Sequence, residues 1–175
     1  MTLRLHPLNP AEAVEAAYFR IHQERMLDVP ILNLALAVEA IDFQRWQGHW
    51  LGVVVTPWCM SLLLVPGSTE NWVSTGENKR RFVKFPVGEF AFLGSVEVEL
   101  GEFQSCSLFS PMGKFSTQSE ATLTARASMI ALLTPPAPAP VTPQAGKAAA
   151  RSSAGSAGQP TLSRRGFFAL RKPSA

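Results

Sequence analysis

The alternation of apolar and polar positions divides the chain into a helix, a run of short strands and a second helix. The most apolar stretch begins at Trp50, and no charged residue appears from there through Thr69. It holds two apolar runs, Leu51–Val55 and Met60–Val65, with Thr56-Pro57-Trp58 between them. The first run is β-branched, as a buried strand would be. The second is leucine-rich, and periodicity alone does not separate strand from helix over so short a run. Proline donates no ladder hydrogen bond and fixes its own φ, so Pro57 marks a break or an edge. The simplest reading is two core strands joined at a corner carrying Pro57 and Trp58. The uncharged stretch is also long enough to cross a bilayer. Pro57 at its middle, interruptions at Gly52 and Ser61, and the turn-like Gly67-Ser68-Thr69 argue against a membrane span. Its start near residue 50 argues against a signal peptide.

Upstream, Asn9-Pro10-Ala11-Glu12 forms a helix start, with Asn9 as cap and Pro10 at the first helical position. The spacing of Val14, Ala17, Tyr18, Ile21 and Arg25 predicts one helical face running to about Leu27. Asp28-Val29-Pro30 ends it. His22 lies off that face and reads as a surface residue. Pro30–Leu34 is an apolar loop. Val38–Trp46 alternates, with Val38, Ala40 and Asp42 set against Ile41, Phe43 and Arg45, and is expected to be the first strand. After the apolar stretch comes a loop carrying Trp72. Lys79-Arg80-Arg81 then precedes a strand at Phe82–Phe85. Such a basic patch reads first as a solvated strand edge and second as an anion site.

Further strands are expected at Glu89–Leu93, Val96–Leu100 and Phe103–Phe109. In the second of these, Val96, Val98 and Leu100 would face the core and Glu97 and Glu99 the other side. In the third, Phe103, Ser105, Ser107 and Phe109 would share a face. Ser110-Pro111-Met112-Gly113 ends it. Thr117-x-x-Glu120 is a capping box that opens a helix from about Gln118 to Leu133, with Leu123, Ala127 and Ile130 on one side. Thr134-Pro135-Pro136 stops it. The order predicts an α+β fold, a mainly antiparallel sheet of five to six strands flanked by N- and C-terminal helices.

Composition adds a division of charge. The chain of 175 residues is long enough for one domain with a real core, expected over residues 1–133. Beyond it, 134–161 is a Pro/Ala/Ser/Gly-rich linker expected to be disordered, and 162–175 is a basic tail. The net charge is +3, but six basic residues and no acidic one follow Leu133, which leaves −3 for residues 1–133. The basic pI therefore belongs to the tail and does not indicate a nucleic-acid surface on the fold.

Catalytic and cofactor signatures are missing from the sequence. It has no GxSxG, P-loop or HExxH. His6, His22 and His49 are scattered. Cys59 and Cys106 form no CxxC, which argues against a zinc ribbon, rubredoxin-type iron or a thioredoxin motif, and the N-terminus lacks an apolar export segment. No cofactor is expected. Two buried thiols in a reduced cytosol are the first reading. The alternative is a metal- or thiol-based redox protein. The tail carries Ser163-Arg164-Arg165-Gly166-Phe167-Phe168, which is similar to a twin-arginine export motif. It stands at the wrong end of the chain to export it.

Three segments together resemble one family: Gly52–Leu62 with its Thr-Pro-Trp, Phe85-Pro86-Val87-Gly88-Glu89-Phe90, and Cys106-Ser107-Leu108-Phe109-Ser110-Pro111-Met112. The likeness is to the [NiFe]-hydrogenase assembly chaperones of the HybE type, with HupJ and HoxT as relatives, over about residues 10–133 and the Arg-Arg tail. Cys59 and Ser61 depart from the bulky and amide residues expected after Thr-Pro-Trp, and the family's Asn-Pro is here Asn33-Leu34. The resemblance implies a cytoplasmic, non-enzymatic chaperone. It would bind hydrogenase precursors, including the twin-arginine signal of the small subunit, and delay export until assembly. The large subunit and other maturation proteins are further expected partners. The expected peptide site comprises Thr56, Pro57, Trp58, Met60, Glu97, Glu99, Cys106, Ser110, Pro111 and Met112. In it, Glu97 and Glu99 would receive an Arg-Arg-x-Phe peptide beside an apolar surface. The chain's own Arg164, Arg165, Phe167 and Phe168 would occupy that site when no client is present.

Overall fold

The computed structural model describes residues 3–140. Helix α1 spans Ala11–Ile21 and passes into a π-helical turn, His22–Met26. Pro10 stands at its N-cap, and just before it the Asn9 side-chain oxygen accepts from the Ala11 N–H at 3.0 Å while the Asn9 amide donates to the Phe43 carbonyl at 3.1 Å. Six strands follow: β1 Glu39–Trp46, β2 His49–Val55, β3 Met60–Val65, β4 Arg80–Phe85, β5 Gly88–Glu97 and β6 Gly101–Phe109. Helix α2 spans Gln118–Leu133. Its capping box is closed by two bonds. The Glu120 N–H donates to Thr117 Oγ1 at 3.2 Å, and the Glu120 carboxylate accepts from the Ser116 N–H at 2.8 Å.

All strand pairs are antiparallel, in the spatial order β1-β2-β3-β6-β5-β4. β3 and β6 lie at the centre, and the helices cover opposite faces of the sheet. On one face Val14, Ala17 and Tyr18 of α1 pack on Phe43, Val54, Leu63, Val65, Leu100 and Phe103. On the other, Ala121, Ala125, Met129 and Leu132 of α2 pack over Ile41, Leu51, Val53, Leu62 and Leu64. Covering both faces is what demands the continuous apolar runs of β2 and β3. A sheet with one wet face would have alternated.

Four expectations are corrected. The strand expected over Val96–Leu100 is not one. β5 runs unbroken through Gly94 to Glu97, and Val98-Glu99-Leu100 forms the turn into β6, leaving Val98 exposed. Gly94 stays in the strand because the preceding loop crosses it. Asn78 and Lys79 exchange backbone bonds with it at 2.9 Å, and a Cβ there would collide with the Thr75 and Gly76 carbonyls. Ile41 and Phe43 do not share a face, because a bulge at Asp42, with φ of 50°, sends them into opposite cores. A second register shift beside Met60 turns Phe109 away from the Phe103 face and onto Phe115. On α2, Leu123 and Ile130 are exposed, and the buried side is Ala121, Ala125, Ser128, Met129 and Leu132. The small alanines let the helix approach the sheet, and Ser128 satisfies its hydroxyl on the Thr124 carbonyl at 2.8 Å.

Candidate partner-binding surface

The Thr56-Pro57-Trp58 corner is built by Thr56. Its hydroxyl donates to the Cys59 carbonyl at 2.8 Å, and its oxygen accepts from the Cys59 N–H at 2.9 Å. The Thr56 N–H also reaches the Cys59 carbonyl, at 2.9 Å, so the turn closes on itself and tips Trp58 out of the sheet. Trp58 stays half-buried, its ring stacked 6.5 Å from Tyr18 and tilted 5.6 Å from His22. His22 is thus a packing residue of the corner, contrary to its reading as a surface position. Thr56, Pro57, Met60, Cys106 and Met112 are buried and support this surface from below.

Ser110 and Pro111 are exposed at the same end of the sheet, where Met60 pairs with Phe109 and the Ser110 hydroxyl contacts the Trp58 carbonyl at 3.4 Å. Asn33, in the loop Pro30–Leu34, ties the two segments together. Its N–H donates to the Pro57 carbonyl at 2.8 Å, and its side-chain amide donates to the carbonyls of Met112 and Phe115 at 3.1 and 2.7 Å. The loop it holds presents Ile31 and Leu34, the latter 89% exposed, along a shallow groove of about 570 Å³ that Pro111 borders. The sequence signal for it was the Asn33 position of the resemblance, where the following proline is absent.

Glu97 and Glu99, expected on the side away from the core, are both held in ion pairs. Arg20 holds both, Glu97 at 2.6 Å and Glu99 at 2.7 Å, and Arg25 reaches Glu97 at 3.1 Å from the π-helical turn. The bonds from Arg20 place the Glu99 carboxyl below the usual carboxylate range. The same turn links the two halves of the surface, since its first residue, His22, packs on Trp58.

Neither cysteine is in a disulfide. Burial raises the Cys59 thiol, so its reactive thiolate is disfavoured. Among the described residues no group of three potential ligands could hold a metal ion. Among the same residues no helix is long and apolar enough to cross a membrane, and the uncharged stretch forms β2 and β3. The linker from 141 onward and the tail residues Arg164, Arg165, Phe167 and Phe168 lie outside the described residues.

The chain is an α+β domain with a bonded, partly apolar corner surface, and comparison with known proteins places it among assembly chaperones. Residues 9–170 match the family described as "[NiFe]-hydrogenase assembly, chaperone, HybE", and the chain belongs to that family. Its relatives include the hydrogenase expression/formation protein HupJ of Bradyrhizobium diazoefficiens, 37% identical over 71% of this chain and 72% of that protein. They also include the protein HoxT of Cupriavidus necator, 36% identical over 74% of this chain and 79% of that one. Against the probable rubredoxin HupJ of Rhodobacter capsulatus, 38% identical, the match takes in 69% of this chain but only 43% of the longer protein. The solution structure of HybE from Escherichia coli superposes with a TM-score of 0.63 at 26% identity, covering 89% of this chain and 98% of that one.

Proposed function

We propose that the chain is a non-catalytic, cytoplasmic chaperone that holds [NiFe]-hydrogenase precursor subunits until assembly is complete. Its principal client is the small subunit, gripped by the twin-arginine signal peptide, with the large subunit as a second client. The observation that carries this reading is the union, through Asn33, of the Trp58 corner with the exposed Ser110-Pro111 segment, beside carboxylates that already bind an arginine. The aromatic part of the signal lies along Trp58, Leu34 and Pro111. Its arginines compete with Arg20 for Glu97 and Glu99, where bidentate guanidinium pairing is geometrically favoured. Exchange of one guanidinium for another costs little net charge pairing, which suits a reversible hold. The raised Cys59 thiol gives no support to a redox role.

The test is recovery of the tagged full chain from cells making the hydrogenase, followed by identification of bound subunits. Unprocessed small subunit enriched over its signal-cleaved form supports the reading. Equal recovery of both forms, or recovery of the mature complex alone, contradicts it.

A further inference from the structure

The sheet has two edges, and they are not equally protected. β1 is interrupted by its bulge and flanked by both helices. β4 pairs with β5 at six successive positions, from Arg80↔Leu93 to Phe85↔Gly88, with no bulge, and among the described residues no strand takes its outer edge. The helices pack chiefly on β1 and β2, and α1 meets β6 only around Phe103, so the α1 side of β4, of β5 and of β6 from Ser105 onward lies bare. A trough of about 480 Å³ results there. Its floor is small, made by Ser61, Ala91, Ser105 and Ser107, and Phe82 and Leu93 line it. Phe82 is 64% exposed, an unusual place for a phenylalanine on a regular strand. On this face β4 presents Arg80, Phe82 and Lys84 in succession, since residues two apart in a strand point the same way. Among the described residues neither Arg80 nor Lys84 enters an ion pair.

We propose that the β4 edge and this trough bind an extended segment of a partner protein with the pattern acid-x-apolar-x-acid, added as a seventh strand. The free backbone groups of the edge supply ladder bonds, and alternate side chains supply selectivity. Carboxylates of the segment lie beside Arg80 and Lys84, and the apolar residue between them covers Phe82. A second copy of this chain is the wrong occupant. Edge-to-edge β4 pairing would set Arg80 and Lys84 of one copy among the same cations of the other. A nucleic-acid strand is also a poor fit, because Glu89 shares the trough and residues 1–133 carry net −3. The trough meets the buried Cys106, which also supports the Trp58 surface, but its charged and exposed residues are different ones, so it takes a segment of opposite charge to a twin-arginine signal.

The probe is a short blocked peptide carrying Glu-Thr-Val-Thr-Glu, titrated into the isotope-labelled full chain, with its Lys-for-Glu counterpart and a thymidine oligonucleotide as controls. Amide shifts confined to β4 and the trough are expected with the acidic peptide. An Arg80→Gln/Lys84→Gln variant should weaken binding at least about tenfold, the scale of losing two charge-assisted contacts. Phe82→Ala should weaken it as well. These side chains are exposed, so an unchanged spectrum elsewhere confirms that each variant is folded. Absence of shifts at millimolar peptide, an equal response to the lysine peptide, or affinity unchanged in the variants would overturn the proposal. So would tighter binding of the oligonucleotide, or concentration-dependent β4 shifts without any peptide.

Discussion

Asn33 shows how much one side chain does at the corner. It holds a loop, the Pro57 carbonyl, and the carbonyls of Met112 and Phe115 at once. Replacing it with alanine leaves two carbonyls without their donor, and unmade bonds at partly buried groups are expensive. Asn33→Ala should destabilise the fold by about 1–3 kcal/mol, read as a lower urea midpoint at unchanged slope. Its weight was not legible in the sequence, because hydrogen bonds to carbonyls some 80 residues away leave no local pattern. The Arg20 pairs were half legible. Glu97 and Glu99 stood out as neighbours in charge, but their partner sits on another element. A lowered Glu99 carboxyl contributes stability above its unfolded value of about 4.3, lost as pH falls through the lower folded value. Arg20 stays charged throughout. The difference in melting temperature between the native chain and Glu99→Gln should therefore be constant near neutral pH and shrink as pH falls from about 4.3 through the lowered folded value. It should also be small, because the pair is partly exposed.

At the level of elements, the long apolar patterns were the most legible. β2 and β3 are readable because both faces are covered, which leaves no charged position to confuse the boundaries. The Val96–Leu100 alternation misled because a two-residue period appears wherever charges and valines alternate, and a turn at Gly101 satisfies it equally well. A glycine inside a strand, as Gly94 is, marks close approach of another backbone as readily as a break. For α2 the chain offers two apolar sides, and size decides between them. The side with Ala121 and Ala125 fits the narrow space over β2, and the bulkier Leu123 and Ile130 remain outside. Ala125→Leu should accordingly cost about 1–3 kcal/mol through overpacking, while Leu123→Gln should leave the denaturation midpoint nearly unchanged.

On the scale of the whole molecule, an acidic body of residues 1–133 is joined to a basic C-terminal stretch, and the family match runs to residue 170, across Arg164–Phe168. A tethered copy of a signal-like motif competes at high effective concentration even when it binds weakly. Removal of residues 141–175 should then tighten binding of the client signal several-fold in a titration. Unchanged or weaker affinity would exclude self-competition. A division into body and tail is readable from composition as an expectation, since 134–161 lacks the apolar residues of a core, and residues from 141 onward lie outside the described ones. The joining of the Trp58 corner to Ser110-Pro111 is not readable in this way. It depends on the strand order that sets β3 beside β6, and long-range pairing of this kind is not encoded in local periodicity.

The central claim is that this corner, with its two carboxylates, receives a twin-arginine signal. Calorimetric titration of the small-subunit signal peptide into the full chain tests it most directly, beside Trp58→Ala and the Glu97→Gln/Glu99→Gln pair. The account predicts saturable binding, weakened at least about tenfold by either change, and a lysine-for-arginine peptide that binds more weakly than the native one. Binding that survives both changes intact, in variants with native spectra, would contradict it.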